Sequence, residues 1–145
     1  MAEQVEADRG GLRFTYLATD RLLVSYQWGE LIPDEAWDAY LACIHEHRDL
    51  QRALRTCVFT TGVHPTREQF ARLRAVSTGF VTRVAIIEPV ATQGFAMSVL
   101  TLHNRHVRCF PADQRAAAYA YLRLTAAEVA AVESAACCPS EESHS

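Results

Sequence analysis

The chain has no lysine: all 14 of its basic residues are arginines, set against 17 acidic residues in 145, for a net charge of -3. A slightly acidic balance gives no overall attraction to nucleic acid or to anionic membranes. The arginine-only usage, with abundant alanine, reads as a genomic bias and not as function. Glycine and proline are scarce, at six and five, which excludes a collagenous or low-complexity chain. The five cysteines, Cys43, Cys57, Cys109, Cys137 and Cys138, are odd in number and show no C-x-x-C spacing. That excludes a disulfide scaffold and a zinc module, and the thiols read as those of a reduced, cytoplasmic protein. No apolar run approaches the roughly 20 residues of a membrane span. Met1 to Gly10 is polar and acidic, so no secretory signal is expected. No phosphate-binding loop or nucleophile elbow is present either.

The chain does have the length of one domain, with half of its residues hydrophobic, enough for a single core without staples. Residues 1–11 are polar and end in Gly10-Gly11, and are expected to be a flexible lead. Phe14 to Ala18 and Leu22 to Trp28 are aromatic and β-branched runs separated by three residues, which predicts an antiparallel hairpin. After Pro33-Asp34-Glu35, the residues Trp37, Tyr40, Leu41 and Ile44 recur at helical spacing. Arg52 to Phe59 predicts a buried strand, Pro65 to Val76 a helix closed by Gly79, and Thr82 to Pro89 another strand. Ala91 to Asn104 carries a helical stripe, Val107 to Phe110 predicts an edge strand, and Asp113 to Leu124 a further helix.

Thr125-Ala126-Ala127-Glu128 has the spacing of a capping box, so a separate helix is expected over 125–138, with 139–145 as a disordered tail. The order β-β-α-β-α-β-α-β-α-α predicts one α/β domain over 12–124. Its mixed, mostly parallel sheet has about five strands packed by four helices, and the C-terminal helix is an addition to it.

Function is expected at the turn from Thr60 to Thr66, because the turn that ends a parallel strand and opens a helix exposes hydroxyls and unsatisfied N–H groups. Thr66 is followed three residues later by Gln69, the arrangement that caps a helix. A hydroxyl at a helix N-terminus, beside Arg67, is also a favourable place for added negative charge. Thr60 and Thr61 are weaker candidates, since strand-end hydroxyls usually serve nearby backbone. His64 lies in the same turn. His45, His47, His103 and His106 are scattered and show no metal-ligand spacing. A pairing of His64 with Cys57 or a threonine lacks an orienting carboxylate in this turn, so no catalytic residue, cofactor or metal is assigned and no enzymatic function is expected. Arg52 to Phe110 holds eight arginines against two glutamates, a local charge of +6. Glu68 and Arg72 stand at i,i+4 within it. Aromatic residues do not interleave with these charges, and no nucleic acid is expected.

The strand pair, Gly29-Glu30-Leu31 before the first helix, the Thr-Gly turn, Arg83-Val84-Ala85-Ile86-Ile87 and Val107-Arg108-Cys109-Phe110-Pro111 before an Ala/Tyr/Leu-rich helix occur in an order that resembles the SpoIIAA-like branch of the STAS domains, over Phe14 to Leu124. The resemblance implies a non-enzymatic signalling module like the anti-sigma factor antagonists. In those, a partner kinase phosphorylates a Ser or Thr at the position that Thr66 occupies here. Where that family usually has Asp-Ser, this chain has Pro65-Thr66. On this reading His64, Arg67 and Arg74 face another protein, a kinase or an anti-sigma-like regulator, and a second copy of the chain is a further candidate partner. The same branch is compared with Sec14-type lipid-binding proteins, which implies as an alternative a carrier of a small apolar ligand or lipid, with a pocket near Trp37, Phe95 and Met97.

Overall fold

The computed structural model describes residues 4–9, 11–17, 21–49, 53–78, 82–89 and 106–142. Its centre is one six-stranded sheet whose strands lie in chain order: β1 (Gln4–Arg9), β2 (Leu12–Leu17), β3 (Leu22–Gln27), β4 (Leu54–Thr60), β5 (Thr82–Glu88) and β6 (Val107–Pro111). The first three pair antiparallel, and β3 to β6 pair parallel. The sheet is therefore mixed and mostly parallel. It has six strands where about five are expected from sequence, because Gln4–Arg9, inside the expected flexible lead, pairs with β2 from Gln4↔Leu17 to Arg9↔Leu12. The helices are α1 (Asp34–Glu46), α2 (Arg67–Ser77), α3 (Arg115–Leu122) and α4 (Ala126–Glu142). The helix expected over Ala91 to Asn104 lies outside the described residues.

Period-two alternation assigns each strand side chain to a face. Leu12, Phe14, Tyr16, Leu23 and Leu54 pack with Trp37, Tyr40, Leu41 and Ile44 of α1, with Leu73 and Val76 of α2 against them. On the opposite face Leu22, Val24, Cys57, Phe59, Ala85 and Ile87 pack with Ala118, Tyr119 and Leu122 of α3 and Val132 of α4. The central parallel strands are thus covered on both faces, which is why they read as continuous apolar runs. Each fully buried Leu or Ile side chain contributes about 1.5–3 kcal/mol of burial free energy.

Turn chemistry fixes the joints. Trp28 N donates to Gly11 O at 2.9 Å, and a Cβ on Gly11 would lie 2.7 Å from Trp28 O and 2.8 Å from Leu31 O. Only glycine lets the start of β2 pass this close to the chain leaving β3. α2 ends at Ser77 with Thr78 as C-cap, one residue ahead of Gly79, which lies outside the described residues. Arg123, in the left-handed conformation, ends α3. Thr125 and Glu128 form the expected box, Glu128 N to Thr125 Oγ1 at 3.1 Å and Thr125 N to Glu128 Oε1 at 2.8 Å. The helix they open runs to Glu142, so 139–142 are helical and not tail, and the helix exceeds the expected end at 138.

Candidate functional site

The turn after β4 is tied down from both sides. Thr60 Oγ1 accepts from Gly62 N at 3.1 Å and donates to Val63 O at 2.9 Å, and Thr61 N donates to Gln27 O of β3 at 3.0 Å. Gly62 has φ of 124°, a conformation that side chains disfavour, so this glycine is required for the turn. Thr60 is buried, while Thr61, Thr66 and Arg67 are exposed.

Thr66 caps α2 as expected. Its Oγ1 accepts from Gln69 N at 3.1 Å, and Gln69 Oε1 accepts from Thr66 N at 2.9 Å. Gln69 does more than its spacing indicates: only 1% exposed, it donates from Nε2 to Ile32 O at 2.8 Å and to Asp34 Oδ1 at 3.0 Å. Its carbonyl accepts from Trp37 Nε1 at 3.0 Å. One glutamine therefore joins the starts of α1 and α2, and α1, which has no side-chain cap of its own, begins against it.

Beneath the turn lies a carboxylate that sequence reasoning passes over. Glu88, at the end of β5, is 0% exposed, and its Oε2 stands 3.9 Å from His64 Nε2. Cys109 neighbours it: burial first, then the charge and hydrogen bond of Glu88, push its thiol up to about 12. Burial likewise raises Cys43 to about 11 and Cys57 to about 12. All three are neutral at physiological pH and lack the thiolate that a nucleophile needs. Cys57 also packs with α3 and α4, on the sheet face away from His64, so those two form no dyad. A glutamate closing the run Val84-Ala85-Ile86-Ile87 just before Pro89 is the signal that could have marked Glu88.

The charged residues do not gather into one basic face. Arg72 pairs with Asp38 Oδ1 at 2.7 Å and Asp34 Oδ1 at 3.8 Å, both on α1, rather than with Glu68. Arg83 and Arg108 lie over the ring of Tyr121 at 5.0 and 5.5 Å, on the far side of the sheet. Arg67 and Arg74 stand two turns apart on α2.

Between the sheet and the pair α1/α2 is a cavity of about 310 Å³. Trp37, Tyr40 and Ile44 of α1, Phe70 and Leu73 of α2, and Val58, Val84 and Ile86 of the sheet give it apolar walls. Gln27, Thr60 and His64 bound it at the carboxyl ends of the strands, and Arg74, Thr78 and His106 at the other end. Of the three residues expected to mark a pocket, Trp37 lines this one; Phe95 and Met97 lie outside the described residues. Among the described residues, no group of three or more His, Cys, Asp or Glu is placed to hold a metal ion, and no helix is long and apolar enough to cross a membrane.

The chain matches no protein-family model, no curated protein and no solved structure.

Proposed function

We propose that this domain is a non-enzymatic carrier or sensor of a compact, largely apolar small molecule, held between the sheet and α1/α2. The cavity is the observation that supports this: an apolar space of about 310 Å³ with a few polar groups at its ends. That is the pattern of ligand pockets, which run from about 300 to 1,000 Å³. It is about twice the roughly 150 Å³ that accommodates benzene, which points to a ligand on the order of a dozen non-hydrogen atoms and not to a two-chain lipid.

Native mass spectrometry of protein purified from its source cells is expected to show a retained small adduct. Val84→Phe, which grows a side chain into the space, should abolish the adduct at a cost in stability of no more than about 1–3 kcal/mol, so that the variant stays folded. Protein that is bare in every preparation, with no ligand-dependent shift in Tm, would sink the carrier reading.

The STAS-like resemblance supports a second reading, favoured by the exposure of Thr66 and Arg67 at the start of α2: phosphorylation of Thr66 governs docking to a regulator protein. Thr66→Asp keeps a good cap and adds charge. It is expected to hold stability within about 0.5 kcal/mol while changing which proteins co-purify from source cells, with phosphate mapped to Thr66 in the wild type. Identical co-purifying sets and an unmodified Thr66 across growth conditions would remove this reading.

A further inference from the structure

Two uncharged polar side chains on the wall of the cavity make no hydrogen bond to the protein among the described residues. Gln27 is only 5% exposed and lines the cavity at the end of β3, on the face that carries α1 and α2. Its main-chain oxygen accepts from Thr61 N, but its side-chain amide makes no hydrogen bond among the described residues. Its partner across the ladder is Thr60, whose hydroxyl is already used on both sides by the turn. Thr56, 4% exposed and also lining the cavity, has a hydroxyl without a hydrogen bond among the described residues. Polar groups that a pocket leaves unbonded to the protein are the ones a ligand can engage. A cavity that presents two such groups among aromatic and aliphatic walls is built for an occupant that bonds to them.

The chemistry of that occupant follows from the groups themselves. A carboxamide and a hydroxyl both donate and accept, and neither carries charge. They match a carbonyl, amide or hydroxyl on an otherwise apolar body. The guanidinium of Arg74 stands at the opposite end of the cavity, on the last turn of α2, and at the Gln27 end the one ionisable lining group is His64, which faces the Glu88 carboxylate at 3.9 Å.

We infer that Gln27 is the polar anchor of the ligand site, and that the ligand is a compact, uncharged, mostly apolar molecule whose single hydrogen-bonding group docks on the Gln27 carboxamide. This rests on the carrier reading and adds ligand class and orientation to it.

Two isosteric probe pairs test it on the full chain by isothermal titration calorimetry: 2-acetylnaphthalene against 2-isopropenylnaphthalene, and 2-undecanone against 2-methyl-1-undecene. Each pair exchanges a carbonyl for a carbon–carbon double bond of the same shape. The ketones are expected to bind roughly 3- to 10-fold more tightly, the range of one neutral hydrogen bond. Gln27→Met, which roughly keeps the volume, should bring the two members of each pair to within about twofold. Equal wild-type affinities within each pair, or tighter binding of 2-naphthoate than of 2-acetylnaphthalene, overturn the role of Gln27 and leave the carrier reading standing. If no probe binds, and Val84→Phe titrates like the wild type, both readings fall.

Discussion

Replacing Gln69 with leucine is expected to lower the free energy of unfolding by about 2 to 4 kcal/mol, more than the loss of Thr66, the cap it serves. The side chain of Gln69 accepts from Thr66 N and donates to Ile32 O and Asp34 Oδ1, and it does so almost wholly out of water. Leucine fills the space and orphans those backbone groups, and each buried group left bare costs about 1–3 kcal/mol. Thr66→Ala removes a single acceptor at an exposed position, for about 1 kcal/mol. Gln69→Glu separates the contributions, since it keeps an acceptor for Thr66 N but loses the donor to Ile32 O and sets a charge against Asp34. It should fall near Gln69→Leu. Urea unfolding of the three variants measures this order. A Gln69→Leu loss below that of Thr66→Ala would show that the glutamine does not join the two helices. The consequence for function is direct: both helices that wall the cavity start from this one residue, so loosening it should weaken any ligand there.

What could be read in advance, and what could not, follows from the range of each interaction. Short apolar runs over Leu22 to Gln27, Leu54 to Thr60 and Thr82 to Glu88 give the strands, and the stripe from Trp37 to Ile44 gives α1, because both patterns are local consequences of burial. The cap at Thr66 is equally local. The strand Gln4–Arg9 escapes because three of its six residues are charged and it lies at the sheet edge, where charge is tolerated. The same holds for polar anchors. Gln27 sits at the end of an apolar strand, where sequence offers no reason to distinguish an inward polar residue from the first residue of a loop. The ion pairs Arg72–Asp38 and Arg55–Glu128 join residues on separate elements. The cavity is the least legible feature of all, since it is the space left between elements whose separation no local pattern encodes.

The Arg55–Glu128 pair carries the second large expected effect. Arg55 projects from β4 on the face away from the cavity and meets Glu128 in the first turn of α4, Nη2 to Oε2 at 2.7 Å and Nη1 to Oε1 at 3.2 Å. The side chains are 22% and 10% exposed. Nη1 also reaches the carbonyls of Leu122 and Arg123, both at 3.3 Å, where α3 ends. The pair thus fixes the sheet, the end of α3 and the start of α4 to one another. Arg55→Met leaves a nearly buried carboxylate without its cation, for a loss of about 3 kcal/mol. Glu128→Gln keeps the shape and some hydrogen bonding, for about 1.5 to 3 kcal/mol.

The pH dependence has a definite sign. Hydrogen bonds from Arg55 hold the Glu128 carboxyl below its ordinary value, outweighing the upward push of burial. Its stabilisation is therefore complete above the unfolded carboxylate pKa of about 4.3 and is lost as pH falls through the lower folded value. The gap between wild type and Glu128→Gln, followed by urea unfolding, should be widest at neutral pH and close as acid protonates the wild-type carboxylate. A gap that stays constant from neutral pH into the acid limb would mean that the charge contributes nothing and that apolar packing of Val129, Val132 and Ala135 seats α4 on the sheet.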